Sequence, residues 1–174
     1  MFELDLSVVG WTHTIACVVA MLAFVPVMLA RKGSRRHRAS GRAYSIAYVI
    51  LCVTALGIYG QQRFWFPHWL AIGGLAVLSV GCLAARLKPP GWRYVHLSAM
   101  LLSAYNLFGG AVNEAFLRIR PLRGLAGDSI LASPLVGMTH GLVMMVFVGL
   151  IGGYVAASLV SQARRRQISS VTPS

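Results

Sequence analysis

Residues Arg31 to Arg42 read RKGSRRHRASGR, with five arginines and one lysine in twelve positions. Before them the chain is apolar from Val8 to Ala30, and after them from Ala43 to Gly60. At 1.5 Å per residue, runs of this length reach across a hydrocarbon core about 30 Å thick. So many cations have to stay in water or among headgroups, so the basic stretch is a hinge held at one membrane face. The fold follows from it: an all-α, polytopic transmembrane helix bundle.

Composition agrees with that reading. Of 174 residues 57% are hydrophobic and 11% charged, with a mean hydropathy of +0.69, whereas soluble domains carry about a quarter charged residues. The formal charge of +12, from 16 Lys and Arg against 4 Asp and Glu, could suit nucleic acid, acidic lipid or topogenic loops. Position decides among them. The cations sit in short gaps between apolar runs and form no basic surface interleaved with aromatics, so nucleic acid is not an expected partner. Cys17, Cys52 and Cys82 each lie inside an apolar run with no CxxC spacing, the placement of small buried residues and not of a disulfide framework or thiolate zinc site. The N-terminus carries Glu3 and Asp5 where a secretory signal would be basic, and it reads as retained.

Five helices are expected, over residues 8–30, 43–60, 68–85, 92–117 and 134–160. They make one transmembrane domain over 1–174 that ends in a basic tail, 161–174. Pro26 should kink the first helix or mark its last turn. Tyr44 and Tyr48 open the second, where a half-wet aromatic ring suits the interface. Pro89 and Pro90 make the turn before the fourth. The hinge, the gap from Arg86 to Arg93 and the tail together hold twelve cations, against four in the gaps around Arg63 and from Arg118 to Arg123. By the positive-inside rule the first set is cytoplasmic, which places the N-terminus outside and the C-terminus inside. The expected location is a bacterial inner membrane, crossed several times. Gly137 with Gly141, and Gly149 with Gly153, are small-xxx-small pairs on the last helix. With Gly109 and Gly110 they point to packing between the fourth and fifth helices.

The fourth helix carries His96, Ser103, Asn106, Asn113 and Glu114. The first four fall on one stripe at helical spacing, which must face other helices and not lipid. His13, His68, Glu114 and His140 are all placed near the outer ends of their helices. Two histidines at one depth are what a b-type haem needs, since two imidazoles approach the iron from opposite faces. His13 with His140 meets that condition, and Arg118, Arg120 and Arg123 could pair with propionates. The aromatic gap around Trp65 could shelter a ring or a quinone headgroup. The cofactor-binding candidates are therefore His13, His68, Glu114, Arg118 and His140. The same His13, His68, Glu114 and His140 would suit zinc with an open water position, which makes a membrane hydrolase conceivable. A third reading makes the polar stripe a path for a small molecule or ion. Each group could also be satisfied locally: Glu114 and Arg118 are spaced as a helix pair, and His37 and His68 fall near the interface, where water would solvate them. No nucleophile with a base at helical spacing, phosphate loop or dinucleotide fingerprint is visible. The leading expectation is binding of haem b or a quinone for membrane electron transfer. The candidate partners are membrane lipids, a second copy of the chain and a membrane redox partner.

Arg36, His37, Arg38, Gly41, Arg42 and Tyr44, running into an apolar helix, resemble the HRxxGRxY-like opening of a helix in a bacterial multipass membrane family of unassigned activity. The similarity extends over residues 8 to 117, through His68 and the basic turn before the fourth helix. There Trp92, Arg93 and His96 to Met100 loosely match that family's HRxxM-like pattern. The resemblance implies the fold and the membrane location, and it implies no reaction. In helix count and scattered histidines the chain is also similar to compact b-type cytochromes, an analogy at the level of the fold.

Overall fold

A computed structural model describes residues 7–58, 66–127 and 132–171, with side chains as far as Val160 apart from those of residues 118, 151, 154, 155 and 157–159. Among the described residues the regular structure is helical: α1 Val8–Leu29, α2 Arg35–Gly57, α3 Phe66–Leu87, α4 Trp92–Arg118, α5 Arg120–Ala126 and α6 Pro134–Val171. Each of α1 to α4 is long and apolar enough to cross a membrane, and the apolar described part of α6, Pro134–Leu150, is shorter. Six helices stand where five are expected, because the gap after Arg118 contains α5, whose Pro121 lies in the first turn. A proline costs nothing there, since its missing N–H has no partner within the helix anyway.

The second helix begins at Arg35 and not at Ala43. Ser34 caps it, its Oγ accepting from the His37 N–H at 3.2 Å. The next five residues, Arg35 to Ala39, include neither proline, glycine nor a β-branched residue. Arginine and alanine are good helix formers, and arginine's long stem keeps its charge in water while its backbone stays helical. The basic stretch is thus mostly helix, and only Ala30 to Ser34 turns the chain. That turn closes the end of α1, whose last carbonyls have no donors of their own. Lys32 Nζ donates to Val27 O (3.0 Å) and Met28 O (3.2 Å), and His37 Nδ1 donates to Val27 O at 3.1 Å. Burial pulls the Lys32 ammonium below the usual lysine range. Arg38 Nη1 donates to Gly33 O at 2.6 Å.

One core joins four helices: Ala16, Ala20 and Val27 from α1, Tyr44, Ala47, Tyr48, Leu51 and Cys52 from α2, Ala71 and Leu78 from α3, and Leu107 from α4. The last helix joins through Phe147, buried with Leu101 and Ala104 and set against the rings of Phe24, Tyr105 and Phe108. Large apolar side chains face outward along the helices, including Ile15, Leu22, Ile46, Val53, Val80, Leu102 and Leu142. A bilayer accommodates such a surface at no cost, while water would not. The fourth and last helices do pack, but not by the expected glycine pairs. A Cβ added at Gly137, Gly141, Gly149 or Gly153 would meet nothing within 4 Å, so no backbone approaches there closely enough to require glycine. Gly109 is the close approach, 3.3 Å from His140 Cε1 by the same measure.

Candidate functional site

The polar stripe of α4 faces its neighbouring helices and is paired along its length. His96 Nδ1 donates to Gly81 O of α3 at 2.8 Å. Ser103 Oγ lies 2.8 Å from Tyr44 OH of α2. Asn106 Nδ2 donates to Tyr48 OH at 2.9 Å and to Leu70 O at 3.1 Å, tying α2, α3 and α4 at one level. Asn113 Oδ1 accepts from His140 Nε2 of α6 at 3.0 Å. In a dry interior each such group needs a partner, and this seam supplies one at every stripe position.

Tyr44 and Tyr48, expected at the interface, are 1% and 0% exposed and stack with ring centroids 5.7 Å apart. The correction follows from where α2 begins: with its first turn at Arg35, Tyr44 lies more than two turns inside the helix. Gly74 of α3 makes room for the bond between Tyr48 and Asn106, since a Cβ there would come to 2.5 Å from Tyr48 OH and 2.6 Å from Asn106 Nδ2.

At the other end of the bundle from the hinge, α3, α4 and α6 leave a cavity of about 380 Å³. Phe66, Leu70, Tyr105 and Val136 give it apolar walls, and Gly109, Gly110 and Gly137 keep it open. Asn106, Asn113 and His140 bring polar groups to the same space. The bond to Asn113 holds the proton of His140 on Nε2, which leaves Nδ1 as an acceptor. Volume, apolar lining and a few convergent polar groups are the usual features of a small-molecule site.

The four expected ligands sit on four helices, α1, α3, α4 and α6. His13 is half-buried, and its Nδ1 donates to Leu51 O (3.1 Å) and Thr54 Oγ1 (3.2 Å), pinning α1 to α2. His68, expected to be solvated, is 1% exposed in the first turn of α3. Glu114 is half-buried on α4. Of the four, His140 alone is among the described cavity-lining residues. Among the described residues no three His, Cys, Asp or Glu side chains come together to hold a metal ion. His13 pairs with α2 and His140 with α4, so these two imidazoles are oriented by different helices. The Arg118 side chain, the aromatic gap around Trp65, Glu3 and Asp5, and the side chains of the tail lie outside the described residues.

Reading along the sequence missed Tyr105 and the glycine wall. Tyr105 precedes Asn106, and Gly109 and Gly110 follow it by about one turn. A polar stripe bordered by two glycines on the same helix was the available signal for a space beside it. Comparison of the chain with protein-family models, with curated proteins and with solved structures returned no match.

Proposed function

We propose that the chain is a five-crossing integral protein of a bacterial inner membrane that binds a quinone headgroup between α3, α4 and α6 and serves membrane electron transfer. In this reading the hinge and the C-terminus are cytoplasmic and the cavity opens toward the outer leaflet. The twelve-to-four division of cations supports that orientation. The HRxxGRxY-like stretch at the start of α2 supports kinship with the bacterial multipass family it resembles.

The observation that carries the proposal is the pair of His140 and Asn113 on the wall of a largely apolar cavity. A quinone is a flat apolar ring with oxygens at opposite edges, and its isoprenoid tail stays in lipid. The Asn113 amide can donate to a carbonyl oxygen, and His140 Nδ1 can accept from a quinol hydroxyl. Once bound, such a ring supplies two-electron redox chemistry. The protein's part is to hold it, keep it dry and offer a proton acceptor at one oxygen. Haem needs a second imidazole opposite the first, and the described lining contributes His140 alone. The cavity therefore favours the quinone form of the cofactor reading.

The test is a titration of detergent-purified full chain with a quinone bearing one isoprene unit, followed by tryptophan quenching. Trp69 stands next to Leu70 of the wall. Saturable binding is expected. His140→Ala and Asn113→Leu should each weaken it about tenfold, the effect of losing one hydrogen bond of about 1.4 kcal/mol. Gly110→Val should abolish it with the fold intact, because a side chain there enters open space. Binding that is absent in the parent chain, or untouched by Gly110→Val, overturns the proposal, and a Soret band in the purified protein returns haem to first place.

A further inference from the structure

The chain's four acidic side chains are Glu3, Asp5, Glu114 and Asp128. None falls between residues 30 and 57 or between 78 and 100, so the hinge end of the bundle carries only cations. Arg31, Arg35, Arg36, Arg38, Arg42, Arg86, Lys88 and Arg93 are all exposed there. Lys32 and Arg38 are engaged with the carbonyls of the turn, and Arg93 lies 5.7 Å from the Trp92 ring centroid. Among the described residues no carboxylate side chain at this end offers the others a counter-charge.

Register shows where those charges meet an apolar groove. Helices α2 and α3 are joined where Ser45 Oγ lies 3.8 Å from Cys82 Sγ. The two helices run in opposite directions, so one turn toward the hinge brings Arg42 on α2 level with Arg86 on α3. Further from the hinge than the two arginines, Ile46 (63% exposed) and Val49 (41%) on α2 and Leu83 (51%) on α3 give the same two helices an outward apolar surface. Paired guanidinium forks match a phosphate, and the apolar flank below them matches an acyl chain. Both are found together in one class of molecule.

We propose that the mouth of the α2/α3 groove, between Arg42 and Arg86, seats the headgroup phosphate of an anionic phospholipid whose acyl chains lie against Ile46, Val49 and Leu83. The site is independent of the cavity at the opposite end. It makes α2 and α3 a lipid-bridged pair at their hinge ends, where among the described residues the polar contact between them is the weak one of Ser45 and Cys82.

Thermal unfolding of the full chain in detergent, titrated at constant salt with phosphatidylglycerol or with phosphatidylcholine, tests this. Phosphatidylglycerol should stabilise saturably and phosphatidylcholine should not. Arg42→Gln with Arg86→Gln should weaken the apparent affinity by about fivefold for each arginine removed, while Arg42→Lys with Arg86→Lys should lose less. Arg31→Gln with Arg93→Gln removes the same charge elsewhere at this end and should leave the affinity unchanged. Equal loss in the two Gln pairs would mean a diffuse field and would overturn the site. So would the same stabilisation by inorganic phosphate alone, which would identify an anion site without lipid.

Discussion

At the scale of single residues, the seam along α4 can be taken apart bond by bond. Tyr44→Phe should cost little, about 0.6 kcal/mol, near the mean for a hydrogen bond between membrane helices, because Ser103 keeps its bond to Met100 O at 2.9 Å. Asn106→Leu should cost more, about 1.5 kcal/mol, since it leaves both Tyr48 OH and Leu70 O without this donor. Unfolding of the detergent-solubilised variants by heat or by sodium dodecyl sulfate would rank them, and the reverse order would contradict the seam. Two adjacent glycines give a sharper contrast. Gly74→Ala drives a methyl into Tyr48 and Asn106 and should destabilise by about 1–3 kcal/mol. Gly73→Ala meets nothing within 4 Å and should be neutral or slightly stabilising, because alanine is the better helix former. The stripe positions His96, Ser103, Asn106 and Asn113 were legible from spacing alone. Their partners were not, because Tyr44, Tyr48, Gly81 and His140 belong to other helices whose rotation spacing does not carry.

At the scale of elements, the start of α2 is the most consequential departure from what the chain suggests. Hydropathy places the beginning of a membrane helix where charge ends, but backbone structure follows caps and propensity. Ser34 and the arginines after it therefore extend the helix back to Arg35. Ala39→Pro removes a backbone donor inside this extension and clashes with the preceding turn, so it should destabilise by about 3 kcal/mol. In a loop the same change would be nearly silent. Ser34→Ala should cost about 1 kcal/mol through loss of the cap. Circular dichroism with thermal unfolding separates these outcomes. Three histidines act alike at this scale: His13, His37 and His96 each donate Nδ1–H to a backbone carbonyl of a neighbouring helix. Of the three only His13 was an expected ligand, and the bonds seen here fasten α1 to α2 and α3 to α4.

For the whole molecule, the proposed orientation and the cavity can be tested together. A fluorescent protein that matures only in the cytoplasm, fused after Ser174 or inserted at Gly33, should fluoresce. Alkaline phosphatase, active only outside, should be active when inserted near Asp128. The opposite pattern would turn the molecule over and move the cavity to the inner leaflet. The four helices able to cross a membrane and the basic gaps between them were determined by the sequence alone, because length, hydropathy and charge are properties of consecutive residues and the bilayer acts on them directly. Which polar groups meet was decided by tertiary structure. His13 and His140 share an expected depth, yet one bonds to α2 and the other to α4. Depth is read along one helix axis, whereas a hydrogen bond depends on the rotation and register of two helices, and those are set only when the whole bundle packs.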